Sequence, residues 1–144
     1  MIMVHATCIA FNGSGVLLRG PPGSGKSDLA LRALSDGARL VADDQVVLTR
    51  KGSKLVASAP SSLQGLIEIR GLGIMRVEAD AESELALVVD LTDKGVIERI
   101  PEPARCDLMG IELPLFAMTA FEPSALAKLR FAMLAVAEPR RLLR

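Results

Sequence analysis

The sequence has 144 residues, 50% hydrophobic and 24% charged, which suits one domain over 1–144 and excludes both a disordered tail and a charge-rich coil. Lys and Arg total 17 against 17 Asp and Glu, so no net field draws the chain to nucleic acid or anionic lipid, and 3% aromatic content removes the stacking platforms of a single-strand binder. Two cysteines and a single histidine make neither a disulfide framework nor a Cys/His zinc site. Met1–Ala10 lacks the basic start of a signal peptide, and no apolar run reaches the ~18 residues of a membrane span, so a cytoplasmic protein with reduced thiols is expected.

Taken in chain order, apolar stretches at Ile2–Phe11 and Val16–Leu18 flank Asn12-Gly13-Ser14-Gly15 and predict a β-hairpin, because Asn-Gly accepts the positive φ of a tight turn. After Gly20–Ser27 comes a short amphipathic helix over Asp28–Ser35, with Leu29, Ala30, Ala33 and Leu34 on one face and Gly37 closing it. Arg39–Ala42 and Gln45–Arg50 read as strands with the acidic pair Asp43-Asp44 between them, and Lys51-Gly52-Ser53 reads as a turn. Further strands are predicted at Leu55–Ala57, Leu66–Ile69 and Ile74–Val77. Leu85–Leu91, LALVVDL, has the continuous β-branched character of a strand buried on both faces. Thr92–Arg105, with two prolines and mixed charge, reads as a loop, and Leu108–Thr119 as a hairpin about Gly110 with a strand from Leu115. Leu126, Leu129, Ala132, Met133 and Val136 recur at helical spacing in a long helix over Ala125–Ala137.

Gly20-Pro21-Pro22-Gly23-Ser24-Gly25-Lys26-Ser27 fits the phosphate-loop pattern G-x4-G-K-[ST] in full, after a predicted strand and before a predicted helix. That context is what the chemistry needs. Glycines let successive N–H groups turn inward, and the helix dipole adds positive potential where phosphates would lie. Lys26 then offsets the charge of the terminal phosphates, and the Ser27 hydroxyl is the expected Mg²⁺ ligand. Asp43 and Asp44 end an apolar strand, where one carboxylate can hold a metal and its neighbour can accept a proton, although a solvated turn has the same composition. Glu68 interrupts the apolar run LIEI. It either points inward and needs a partner or faces water by simple alternation. His5, by itself, reads as a packed or surface imidazole.

The segments VHATCIAFNGSGVLLRGPPGSGKSDLALRALSDGARLVADDQV and LIEIRGLGIMRV together resemble HPr kinase/phosphorylase, in a short form comprising only the catalytic domain. The resemblance implies an α/β fold: a P-loop kinase core similar to phosphoenolpyruvate carboxykinase, with a central mixed β-sheet, flanking helices and a C-terminal helix. It implies an ATP- and Mg²⁺-dependent serine kinase acting on the phosphocarrier HPr of the phosphotransferase system, reversible with inorganic phosphate, and assembled as a homo-oligomer, often a hexamer. Carried over, Gly20–Ser27 would bind nucleotide, and Ser27 and Glu68 would hold Mg²⁺. Asp44 would be the proton acceptor, acting as proton donor in reversal. His5, matched to an active-site histidine on the strand before the P-loop, Lys26 and Arg99 would complete the catalytic set. Asp43 is a separate expectation, supporting the metal or orienting Asp44.

One departure concerns Ala117–Pro123, AMTAFEP, which stands where the family carries a basic segment of the type P-V-R-P-G-R-N associated with reversal. Without those guanidinium groups, capture of a phosphate dianion should weaken, and weak phosphorylase activity is expected. Two other readings of the same loop are a small-metabolite or nucleoside kinase of P-loop type, and a nucleotide-responsive interaction module.

Overall fold

The computed structural model describes residues 1–144, the side chain of Lys94 apart. Eleven strands and two α-helices follow one another as β1 (Ile2–Val4), β2 (Thr7–Phe11), β3 (Ser14–Arg19), α1 (Lys26–Ser35), β4 (Arg39–Ala42), β5 (Val46–Lys51), β6 (Lys54–Ser58), β7 (Leu66–Ile69), β8 (Gly73–Arg76), β9 (Glu82–Leu91), β10 (Ala104–Leu108), β11 (Ile111–Met118) and α2 (Ala125–Ala137). Nine strands form one mixed sheet in the order β1-β5-β6-β9-β3-β2-β4, with β11 also on β9 and β10 on β11. The hairpin β7–β8 stands apart as its own two-stranded sheet. The expected mixed α/β architecture is present.

The two faces of the sheet are covered differently. On one face, Leu29, Ala30 and Ala33 of α1 and Ala125, Leu129 and Ala132 of α2 pack on Ile9, Val16, Leu18, Leu87 and Val89. The other face holds Cys8, Leu17, Val41, Leu48, Leu55 and Val88, all from strands. The sheet therefore curls over itself, and no helix is needed there. Each large aliphatic side chain so buried contributes about 1.5–3 kcal/mol. The total accessible surface, 8393 Å², is nearly a fifth above the roughly 7,000 Å² expected for this mass. Part of the excess lies on the β7–β8 hairpin, where Leu72, Ile74 and Met75 are exposed.

The curl is made by a bent ribbon. The first predicted strand, Ile2–Phe11, is in fact two: it bends at His5-Ala6, β1 pairing antiparallel with β5 and β2 with β4. Val4 lies opposite Val46 and Cys8 opposite Ala42, so continuing the register across the bend sets Ala6 opposite Asp44 and Thr7 opposite Asp43. His5 is consequently corrected from a strand to the bend between β1 and β2, where it is exposed. The other boundaries shift little. α1 starts at Lys26 rather than Asp28 because the phosphate loop feeds it directly, and the segment predicted as a loop to Arg105 yields to β10 at Ala104.

Cys8 is fully buried on β2 and burial pushes its thiol well above the usual range, whereas Cys106 is partly accessible. An accessible thiol can ionise and a desolvated one cannot. A thiol reagent at pH 8 is expected to modify Cys106 alone in the folded protein and both cysteines in denaturant, read by intact mass. Labelling of native Cys8 would contradict the packing described.

Candidate active site

Four strands point their carboxyl ends to one rim. β2 is antiparallel to both β3 and β4, which makes β3 and β4 parallel to each other, and β9 is parallel to β3 and to β11. The connections leaving β4, β3, β9 and β11 all emerge there, and such a rim is where open α/β sheets bind ligands. β4 delivers Asp43-Asp44, β3 the loop Gly20–Gly25, β9 the segment from Thr92, and β11 the turn into α2.

The phosphate loop has the geometry its sequence implies. Gly23 and Gly25 take φ of +82° and +96°, and Ser24 N–H donates to the Pro21 carbonyl at 3.0 Å. Gly25 caps α1 without any side-chain bond, and the first backbone bond of the helix runs from Leu29 N–H to the Gly25 carbonyl at 2.9 Å. The N–H groups of Lys26, Ser27 and Asp28 therefore lack intrahelical acceptors and lie at the positive end of the dipole. Lys26 Nζ stays at the loop, donating to the carbonyls of Gly20 at 2.6 Å and Pro21 at 3.2 Å. Ser24 Oγ is buried with no partner among the described residues.

Asp43 is the hub of the carboxylate side. Its Oδ1 accepts from Ser27 Oγ at 3.0 Å and from the buried Thr7 Oγ1 at 3.1 Å. Asp44 beside it has φ +68°, and Gln45 N–H donates to the Asp43 carbonyl at 2.8 Å, which describes a γ-turn centred on Asp44. This is a sparsely populated conformation for a side-chain-bearing residue, of the kind that persists where surrounding structure enforces it. The Asp44 side chain is exposed and makes no hydrogen bond among the described residues. One carboxylate is thus engaged toward the helix start and its neighbour is open to an incoming group.

The remaining expected residues, Glu68 and Arg99, stand on other segments. Glu68 lies on β7, exposed, while Ile67 beside it is buried, so the alternation that turns Glu68 to water is the one realised. No group of three or more His, Cys, Asp or Glu side chains able to hold a metal forms among the described residues. The donor set fits a hard cation nonetheless: a hydroxyl and a carboxylate oxygen in contact at the loop, the oxygen ligands Mg²⁺ prefers. Arg99 is exposed in the connection between β9 and β10.

Sequence reasoning missed three contributors. Thr7 anchors Asp43, and the strand register is the signal that could have found it. Arg19, last residue of β3, forms a forked ion pair with Asp90 of β9, Nε to Oδ1 at 2.7 Å and Nη2 to Oδ2 at 3.0 Å, which raises the guanidinium pKa chiefly through the hydrogen bond with Asp90. Being about a third exposed, the pair is worth under about 1 kcal/mol, but it fastens the root of the loop to β9. The turn after β11 packs on the loop itself: a Cβ on Gly25 would meet Ala120 at 2.5 Å and the Phe121 ring at 3.1 Å. Arg32 of α1 holds that turn by donating to the Ala120 carbonyl.

Residues 1–115 match the family described as HPr Serine kinase C-terminal domain. The chain belongs to that family. It is similar to HPr kinase/phosphorylase from Chloroherpeton thalassium, 36% identical over 129 residues, covering 81% of this chain and 38% of the relative. The HPr kinase/phosphorylase of Lactobacillus delbrueckii subsp. bulgaricus is 42% identical over 98 residues, covering 62% of this chain and 31% of the relative. Among solved structures, the Hpr(Ser) kinase/phosphatase from Coxiella burnetii superposes with a TM-score of 0.80 at 25% identity, over 99% of this chain and 97% of that one. The chain spans 38% to 40% of the length of the first curated relatives it matches. No helix is long and apolar enough to cross a membrane among the described residues.

Proposed function

We propose that this HPr serine kinase domain is an ATP-dependent protein serine kinase that phosphorylates HPr in the cytoplasm, with weak reverse phosphorylase activity. The observation carrying this reading is the contact between Ser27 and Asp43 at the start of α1, with the open carboxylate of Asp44 next in sequence. ATP supplies the phosphoryl group, and Mg²⁺ offsets its negative charge. The free N–H groups of the α1 terminus hold the phosphate tail, and Lys26 turns from the loop carbonyls toward it. Ser27 and Asp43 would hold the metal, with Glu68 joining from β7 as the family resemblance implies.

Asp44 removes the proton from the substrate serine hydroxyl as the serine oxygen bonds to the γ-phosphorus and the bond to the bridging oxygen of ADP breaks. A serine hydroxyl is a weak nucleophile at neutral pH, so a carboxylate within hydrogen-bond reach is needed. His5, in the exposed bend between β1 and β2, is a second group able to contact the incoming serine or the transferred phosphate, as the family resemblance implies. Arg99, an exposed cation beyond β9, offsets charge on the transferring oxygens. For reversal, the turn from Ala117 to Pro123 offers no arginine to a phosphate dianion, which supports a kinase-biased balance.

The test is incubation with HPr and Mg-ATP, followed by mass spectrometry and then by inorganic phosphate with an assay for pyrophosphate. One phosphoryl group on a serine of HPr is expected, with slow pyrophosphate release. Nucleotide binding with HPr left unmodified would overturn the kinase reading in favour of an interaction module. Transfer to a nucleoside or other small acceptor instead would favour a metabolite kinase.

A further inference from the structure

Thr7 stands at the amino end of β2, the strand lying between β3, which feeds the phosphate loop, and β4, which feeds Asp43-Asp44. We infer that its hydroxyl is a positioning group for the metal site: it holds Asp43 where the Ser27 hydroxyl can donate to it, and so keeps the Ser27 oxygen turned to the cation. The inference rests on the proposed metal role of Ser27 and Asp43 and extends it to a residue that would touch neither metal nor nucleotide.

Three observations carry the assignment. The first is side. Cys8 and Ala10 belong to the all-strand face of the sheet and Ile9 to the helix face, so alternation along β2 turns Thr7 to the helix face with Ile9. Its partner on β3, Leu18, lies on that face too, and there α1 begins with Lys26 and Ser27. The second is obligation. Thr7 is 0% exposed, and a buried hydroxyl left without a partner is costly. Its one side-chain hydrogen bond among the described residues goes to Asp43 Oδ1, at 3.1 Å. A β-branched side chain has few χ1 choices, so β2 fixes the direction of this donor and the carboxylate comes to it.

The third is the division of lone pairs. Asp43 Oδ1 accepts from both Thr7 and Ser27, while Oδ2 makes no hydrogen bond among the described residues. A hydroxyl has one proton and two lone pairs. With its proton given to Oδ1, the Ser27 oxygen presents only lone pairs elsewhere, as a ligand to a hard cation must. Without the Thr7 hydroxyl, the Asp43 carboxylate can rotate about its own side-chain bonds, and Ser27 loses its fixed acceptor. Partners one step beyond a metal's ligands orient those ligands in this way.

The experiment measures ATP binding by calorimetry with Mg²⁺ and with EDTA in its place, for the parent chain, Thr7→Val, Thr7→Ala and Thr7→Ser. Circular dichroism with thermal unfolding verifies each fold. Valine keeps the shape of threonine and alanine removes bulk; both lack the hydroxyl, and serine restores it. The parent is expected to bind ATP more tightly with Mg²⁺ than without. Thr7→Val and Thr7→Ala should lose about tenfold or more of that gain, the usual cost of deleting a partner one step beyond the ligands, with metal-free affinity unchanged. Thr7→Ser should keep most of it. An unchanged gain in the folded Val and Ala variants would overturn the assignment, as would equal weakening with and without metal, the mark of a packing defect in the loop. Thr7→Ser behaving as Thr7→Val would overturn it too, since the hydroxyl would then be irrelevant. A parent that binds ATP equally with and without Mg²⁺ would instead overturn the metal role of Ser27 and Asp43. A parent that binds no ATP in either condition would overturn the nucleotide reading itself.

Discussion

Asp44→Asn is expected to bind Mg-ATP as the parent does and to phosphorylate HPr about 10² to 10⁴-fold more slowly, the range that a positioned general base contributes. Asparagine is the informative substitute. It keeps the shape of the side chain, removes only the basic oxygen, and tolerates positive φ, so the γ-turn at +68° survives. Asp44→Ala would confuse the measurement, because a left-handed conformation costs most residues about 1–2 kcal/mol and the turn could relax. The assay pairs single-turnover transfer with calorimetric nucleotide affinity. Turnover by the asparagine variant at the parent rate would remove Asp44 from the mechanism. Loss of nucleotide binding would mean that it acts on the metal instead.

The second large effect is on the loop. Gly25→Ala should lower stability by about 2–5 kcal/mol, combining backbone strain at φ +96° with overpacking, since the new Cβ would sit 2.5 Å from that of Ala120. Ala120 has little room to move: it is 1% exposed, and its carbonyl accepts from Arg32. Gly23→Ala is the control. Gly23 has a similar φ of +82° but nothing within 4 Å of the added atom, so it should cost only about 1–2 kcal/mol, the backbone contribution alone. Urea denaturation separates the two. Equal losses at both positions would show that the turn after β11 does not brace the loop.

Much of the fold was legible because its signals are local. β4, β7 and α2 have the bounds their patterns predict, since a short apolar run or a helical periodicity bounded by turn residues suffices to define them. The phosphate loop was legible because eight consecutive residues carry both its shape and its chemistry. What the sequence withheld depends on pairing between distant segments. Ile2–Phe11 looks like one strand because its apolar run is almost continuous, and only the partners β5 and β4 reveal that it bends at His5. Thr7 carries no sign of a role until the register sets it opposite Asp43. The alternatives left open for Glu68 could be decided only once Ile67 was seen to take the buried side of β7.

The bent ribbon has a consequence for how insertions and deletions would act. From Val4 opposite Val46 to Cys8 opposite Ala42 the register is kept through the bend, shifting by one only beyond Cys8, so the two adjacent carboxylates are indexed like teeth on a rack. Removing one residue between Val41 and Gln45 would advance that rack by a single notch. The acid now gripping Ser27 would swing away, and its neighbour would inherit the grip. Length in this short link is therefore a tighter constraint than side-chain identity, and drift through gaps should be confined to the outlying turns.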